Sequence, residues 1–353
     1  MTRLLLVSDA WHPQINGVVR TLEPILEELA ALGLEAGLIT PAQYRTIPCP
    51  TYPEIRLALT TFRAVRRRID EIAPDYVHIA TEGPLGLMVR NWCLHRGKRF
   101  TTSYHTRFPE YLAARLPVPL SASYAWMRWF HNRANGIMVA TPTLERELEA
   151  RGFRNLMRWR RGVDQEQFRP DHPPALTGLP RPIFGYVGRV AVEKNLDAFL
   201  SLDLPGTKVV VGDGPALEDL RRRYPDTVFT GAKLGDDLAR HYTSLDVFVF
   251  PSRTDTFGNV LVEALASGVP VAAFPVMGPL DIVDGHGVGV LDDDLRVAAL
   301  AALDVPRDRC RAYAQSFTWK RSARDFLDNM VKAEGDGRPL PREDADRLRA
   351  AAE

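Results

Sequence analysis

Cysteine is scarce in this chain: Cys49, Cys93 and Cys310 stand far apart, with no Cys-x-x-Cys pair and no cysteine–histidine cluster. That spacing argues against a disulfide framework or a zinc site and fits a reducing cytoplasm. Long hydrophobic runs are missing as well. Nothing approaches the roughly eighteen apolar residues that a membrane-spanning helix requires. The opening "MTRLLLVSDAWHP" meets charge too soon for a signal peptide and reads as a first buried strand. A net charge of only +1 does not suggest a nucleic-acid binder, so no nucleic acid is expected as a partner. No short-period repeat occurs.

What the chain has is length and an ordinary soluble composition: 353 residues, 45% hydrophobic and 25% charged, enough for two domains. Its charge is uneven. Residues 1–170 hold 23 Lys and Arg against 16 Asp and Glu, whereas the remainder holds 22 against 28. The first half therefore suits an anionic partner such as a membrane surface.

Strand-like and helix-like segments alternate. "RLLLVSD" precedes helical "GVVRTLEPILEELAALG", then come "EAGLIT", "TTFRAVRRRIDEI", "DYVHIA", "GLMVRNWCLHRG" and "FTTSYHT". A helix around 121–134, the strand "GIMVAT" and the helix "TLERELEARG" complete the first series. Residues 160–182, with five prolines and no period, read as a linker. Alternation restarts at "IFGYVGR" and runs through "TKVVVGDG", "TVFTG", "DVFVFPS" and "PVAAFPV". This βαβα order predicts an α/β protein of two doubly wound, Rossmann-like parallel-sheet domains facing a cleft. The expected divisions are residues 1–165, residues 166–316, a helix over 317–333 that packs back on the first domain, and a polar tail over 334–353.

In such sheets ligand groups gather at the carboxyl ends of strands, and several unusual residues fall there. Asn16 and Gly17 precede a helix whose N-terminus favours an anion, although a plain tight turn explains them too. His105 ends the strand in "TSYHT". In "YVGRVAVEKNL", Gly188, Arg189 and Lys194 lie before a helix; the two cations suit a pyrophosphate, or form a solvated surface pair. Gly212, Asp213 and Gly214 form a turn that either cradles a nucleotide base or is simply good turn chemistry.

The strongest constellation is "PSRTDTFGNVLVEALASG" (251–268). Thr256, Phe257, Gly258 and Asn259 open a helix whose first amides lack intrahelical partners and carry partial positive charge. Asp255 lies before that helix, where it is either an ordinary capping residue or an acceptor for sugar hydroxyls. Glu263 lies four residues beyond Asn259 on the same face, placed to accept two ribose hydroxyls.

Together, "YHT", "GVDQEQFRP", "GRVAVEKN", "GDGP" and "PSRTDTFGNVLVEALASGVPV" resemble the retaining glycosyltransferases of family 4 (GT4), which have the GT-B architecture. The resemblance spans nearly the whole chain. It implies that Arg189 and Lys194 neutralise the departing diphosphate of a nucleotide sugar. It implies also that the Gly17 loop and the amides around Phe257–Asn259 hold phosphate and sugar. Asp255 and Glu263 stand at the two acidic positions of the family's E-x7-E motif, and His105 would lie over the transferred sugar. No metal and no cofactor beyond the nucleotide diphosphate sugar is implied, in keeping with the lack of a DxD-like carboxylate pair at a strand end. Two positions depart from the pattern: Asp255 replaces the usual glutamate, and Asn16 stands where many relatives have glycine.

"EGPLG", "YHTRFPEY" and "TDTFGN" resemble the branch with sulfoquinovosyl-, glucosyl- and glucuronosyl-diacylglycerol transferases and lipid-anchor mannosyltransferases. A lipid acceptor, most simply diacylglycerol, and a peripheral location on the cytoplasmic membrane face follow as expectations. Residues 107–133 mix Trp126, Met127, Trp129 and Phe130 with Arg115, Arg128 and Arg133, and a nearby segment carries Arg63, Arg66, Arg67 and Arg68. Aromatics beside arginines suit an anionic lipid interface, or a core helix with a solvated basic face. The competing functions are transfer to a soluble or polyprenyl-linked glycan, including mannosyl transfer, and a non-catalytic sugar-nucleotide-binding protein.

Overall fold

The computed structural model describes residues 2–13, 16–49, 52–113 and 117–335. The chain divides into two units, one running to Arg161 and resuming at Trp319, the other spanning Gly162–Thr318. Each is built on a six-stranded, wholly parallel sheet.

The first unit contains β1 (Thr2–Val7), β2 (Leu34–Ile39), β3 (Arg45–Cys49), β4 (Tyr52–Leu59), β5 (Tyr76–Ile79), β6 (Thr101–Ser103), β7 (Gly136–Val139) and β8 (Leu156–Arg158). Its sheet order is β2-β1-β5-β6-β7-β8, while β3 and β4 form a separate antiparallel hairpin. β1 is apolar from Leu4 to Val7, where both faces are covered. Leu4 and Leu6 face helices Gly17–Ala31 and Trp319–Glu334 in one core; Leu5 and Val7 face helices Phe62–Ile72 and Pro84–Arg96 in another. The helix Trp319–Glu334 thus belongs to the first unit. Trp159, fully buried, donates its indole N–H to the Ser322 carbonyl and hydroxyl at 3.1 Å, and its ring lies against Phe326.

The second unit contains β9 (Ile183–Val187), β10 (Thr207–Val211), β11 (Val228–Gly231), β12 (Val247–Phe250), β13 (Val271–Ala273) and β14 (Gly289–Leu291), in the order β11-β10-β9-β12-β13-β14. The strand direction of travel reverses between β9 and β12 here, and between β1 and β5 in the first unit. Those reversals are where open α/β sheets bind ligands.

Three features differ from the sequence reading. The hairpin β3–β4 is absent from that reading because prolines and a short, non-alternating pattern hide it. The boundary falls after Arg161, and the segment read as a linker is fastened to the second unit by side chains rather than left free. Arg311 donates to Gln165 Oε1 and to the Phe168 carbonyl, and Ser244 Oγ accepts from the amides of Ala175 and Leu176. Proline-rich backbone lacks periodicity, so these distant polar partners do the work that a strand ladder would otherwise do. The proposed tail beyond Gly335, like Arg115, lies outside the described residues. Among the described residues no helix is long and apolar enough to cross a membrane.

Candidate active site

In the second unit, the loops after β9 and β12 meet at the sheet reversal and are joined by side chains. Lys194 Nζ donates to Asp255 Oδ1 at 2.6 Å, Asn195 Nδ2 to the Pro251 carbonyl at 3.1 Å, and Thr254 Oγ1 to the Glu193 carbonyl at 3.4 Å. Lys194 and Asp255, assigned separate partners by the sequence, therefore form one ion pair, each side chain 17% exposed. The second oxygen, Asp255 Oδ2, is buried and lacks a hydrogen-bond partner among the described residues. A buried carboxylate oxygen left in that state is costly, so it marks a position where a hydroxyl donor would be welcome.

Gly258, at φ +82°, precedes the helix Asn259–Ala266. A helix start carries partial positive charge, which favours an oxygen-bearing ligand. Phe257 is an anchor: its ring is buried and lies 6.4 Å from that of Phe317. Thr256 and Asn259 are half-buried on either side of it. Glu263 lies on the helix Asn259–Ala266 and is held from within. It is 7% exposed, and its Oε2 accepts from the Tyr242 hydroxyl at 2.8 Å, so one carboxylate oxygen serves the interior. Tyr242 was missed by the sequence reading, since it sits on a different helix, Gly235–Thr243.

The glycines of the turn after β10 have a structural origin. A Cβ on Gly212 would lie 1.9 Å from the Gly188 carbonyl oxygen, and one on Gly214 would lie 2.3 Å from that of Val190. The loops after β9 and β10 pack backbone against backbone, sealed by Val190 N–H to the Asp213 carbonyl at 2.9 Å. Asp213 itself is exposed and accepts from the Gly214 amide at 2.6 Å. Of the two readings of this turn, these contacts account for its glycines by turn packing alone. Arg189 is half-buried, with its carbonyl accepting from Tyr186 at 2.8 Å.

In the first unit the reversal between β1 and β5 is occupied by Asp9, which the sequence reading passed over. Its carboxylate accepts from the amides of Leu85 at 2.8 Å and Gly86 at 3.1 Å, at the start of helix Pro84–Arg96, and from Thr81 Oγ1 at 3.1 Å. Burial pushes its pKa up to about 6, outweighing the opposing pull of those amides. A Cβ on Gly83 would lie 2.4 Å from the Asp9 carboxyl carbon, so the "EGPLG" glycine is shaped around this acid. An acid two residues beyond the buried run Leu4–Val7 is the signal the sequence offers.

Asn16 stands at the expected anion site beside Gly17. Its Oδ1 accepts from the amides of Val18 at 2.9 Å and Val19 at 3.1 Å, so it caps the helix end that was to receive phosphate. Gly17 is exposed, with open space where a Cβ would stand. His105 follows β6 and is half-buried. Arg161 Nη2 donates to its Nδ1 at 3.5 Å, and Trp159 meets the ring edge-on at 5.8 Å. Burial first, and then the Arg161 charge, hold the imidazole well below its usual pKa. It is therefore neutral, with its proton on Nε2.

Helix Leu120–His131 is unusual on its outer side. Leu120, Ala122, Ala125, Trp126 and Trp129 are exposed, whereas Tyr124, Met127 and Phe130 are buried and Arg128 turns to the Arg151 carbonyl at 3.2 Å. Phe108 adds a ring 6.3 Å from that of Trp126. On helix Phe62–Ile72, Arg66 lies 3.5 Å from Asp70, Arg67 3.7 Å and Arg68 3.3 Å from Glu71, so three of its arginines are partly neutralised. Among the described residues no group of three or more His, Cys, Asp or Glu side chains is placed to hold a metal ion.

Comparison with known proteins matches both halves. The profile of Glycosyltransferase Family 4 covers residues 15–167, and that of Glycosyl transferases group 1 covers residues 181–304. A GDP-mannose-dependent alpha-mannosyltransferase of Mycobacterium tuberculosis is 32% identical, over 82% of this chain and 83% of its own. The sulfoquinovosyl transferase SQD2 of Arabidopsis thaliana is 32% identical over 79% and 60%. An alpha-monoglucosyldiacylglycerol synthase of Streptococcus pneumoniae is 24% identical over 92% and 83%. Among solved structures, a sucrose-phosphate synthase from Thermosynechococcus elongatus superposes with a TM-score of 0.74 at 20% identity, covering 93% of this chain and 98% of that one. Anabaena HepE in complex with UDP-glucose gives 0.71 at 15% identity, covering 94% and 100%. With both profiles matched and this fold, the chain belongs to glycosyltransferase family 4: it is a GT-B hexosyltransferase that uses nucleotide sugars.

Proposed function

We propose that the protein transfers a hexosyl or hexuronosyl group, with retention, from a nucleoside diphosphate sugar to the hydroxyl of a membrane lipid, diacylglycerol in the first instance. The observation that carries the lipid acceptor is the outer side of helix Leu120–His131, where Trp126 and Trp129 stand exposed beside Leu120, Ala122 and Ala125, with the Arg90 guanidinium 4.1 Å from the Trp129 ring. A helix face turned to water normally carries charge; this one suits the headgroup boundary. The exposed arginine pairs of helix Phe62–Ile72 are worth only about 0.3–0.5 kcal/mol each and would exchange readily for lipid phosphates. Names of relatives support the same branch, since one is a diacylglycerol glycolipid synthase.

The donor roles rest on the second unit. Lys194 and Arg189 take the diphosphate, whose growing charge they and the start of the helix Asn259–Ala266 stabilise without a metal ion. Asp255 Oδ2 accepts a sugar hydroxyl, and Glu263, held by Tyr242, serves the ribose. Neutral His105 donates from Nε2.

The test is incubation of the purified protein with GDP-mannose, UDP-glucose or UDP-glucuronate and phosphatidylcholine vesicles containing diacylglycerol, followed by mass spectrometry of the lipids. A new glycosyl-diacylglycerol is expected. Transfer to soluble glycans alone would sink the lipid acceptor, and tight nucleotide binding with no transfer would point to a sensor. Mannosyl transfer from GDP-mannose is the second reading, favoured by the mycobacterial relative.

A further inference from the structure

We propose that Arg161 is an anion-binding residue: its guanidinium takes a phosphate or carboxylate oxygen of a substrate held beside His105. The side chain is only 4% exposed. Its contacts are Nη1 to the Trp159 carbonyl at 3.2 Å, Nη2 to His105 Nδ1 at 3.5 Å, and the guanidinium plane 4.0 Å over the Trp159 ring. One oxygen thus serves five N–H donors, and among the described residues no carboxylate comes within ion-pair distance.

Other sheltered arginines of the same unit are better provided. Arg107 reaches both Glu110 and Glu147, at 2.7 and 2.8 Å. Arg90, at 2% exposure, donates to the Phe130 and Trp129 carbonyls and to Asn91 Oδ1. An enclosed cation without an anion is among the most costly arrangements a fold can keep, and burial already draws the Arg161 pKa down to about 9. Arg161 lies just past the carboxyl end of β8, and His105 just past that of β6, at the edge of a parallel sheet where ligands bind. Stacking on Trp159 fixes the fork, leaving its open donors for a planar or tetrahedral anion. Anion binding goes beyond the proposed transfer, since it is measurable without turnover.

The experiment uses the full-length protein, Arg161→Met and Arg161→Lys, in thermal unfolding and titration calorimetry with sodium phosphate, GDP and UDP. Vesicles of phosphatidylcholine with and without phosphatidic acid complete the probes. Phosphate should raise the wild-type Tm. Arg161→Met should raise the Tm without phosphate, because an apolar chain replaces an unpaired charge, and should abolish the phosphate shift. Arg161→Lys should keep the charge but lose the fork, weakening the anion by about tenfold. If GDP or UDP affinity falls with the phosphate response, the anion is the donor's diphosphate. If nucleotide affinity holds while the preference for phosphatidic acid vesicles disappears, it belongs to the acceptor. A lowered Tm in Arg161→Met, or failure of that variant to fold, together with wild-type binding of every probe by Arg161→Lys would overturn the proposal.

Discussion

The two units share one architecture and handle polar groups at their strand ends in opposite ways. In the second, internal partners are in place before any ligand arrives: Lys194 holds Asp255 Oδ1, Tyr242 holds Glu263 Oε2, and the glycine turns lie backbone to backbone, with Asp255 Oδ2 the exception. In the first, costs are left standing. Asp9 is a buried acid with a raised pKa, His105 is kept neutral, Arg161 has no counter-anion among the described residues, and tryptophans face outward. The contrast teaches that a site for a defined diphosphate can be set in advance by internal pairs, whereas the other unit keeps unpaid interactions for a group it has yet to meet.

The largest effect that would break this contrast is expected from Lys194→Ala. It removes the cation for the leaving group and strands Asp255, so kcat at saturating donor should fall by about three orders of magnitude. Near-normal turnover would remove the second unit's loops from the chemistry. Next comes Gly212→Ala, whose Cβ would enter the Gly188 carbonyl. Denaturant unfolding should show a loss of about 3 kcal/mol or more. A neutral result would mean that the turn is not sealed by backbone contact.

Asp9 sharpens the other half. Its folded pKa of about 6 lies above its ordinary value of 3.8, so proton uptake favours the folded state. That contribution is complete below pH 4 and is lost as pH rises through 6, on the order of 3 kcal/mol in all. Asp9→Asn should flatten the stability-versus-pH curve in that window; an unchanged curve would show that Asp9 is not the titrating group. Smaller again, Trp129→Ala should weaken partition into vesicles by about tenfold, read by co-sedimentation. The smallest effect is salt. Release from anionic vesicles should rise only modestly, because Arg66, Arg67 and Arg68 already have acidic neighbours. Complete release would mean that electrostatics, not the tryptophans, hold the protein at the surface.

Much of the frame was legible without coordinates. Leu4–Val7 of β1 and the whole of β12 are unbroken apolar runs, which announce strands covered on both faces, and the residues after them carry the family's motifs. The hairpin β3–β4 and the three-residue strands β8 and β14 were not legible, since such short pieces have no period to detect. Asn16 is a subtler case. The helix start is legible in the sequence, but that Asn16 closes it by accepting from the Val18 and Val19 amides is seen only in the structure.

By itself the sequence determined the alternation of strands and helices, the two-unit plan and the strand-end loops in which chemistry would fall, because hydrophobic period and turn residues act locally. Only the tertiary structure decided which of those loops face each other. Lys194 and Asp255 are 61 residues apart, Asp9 and Leu85 are 76, and His105 and Arg161 are 56. Such pairs come together through helical crossovers and the order of strands in a parallel sheet, and no local pattern encodes the charge balance that results.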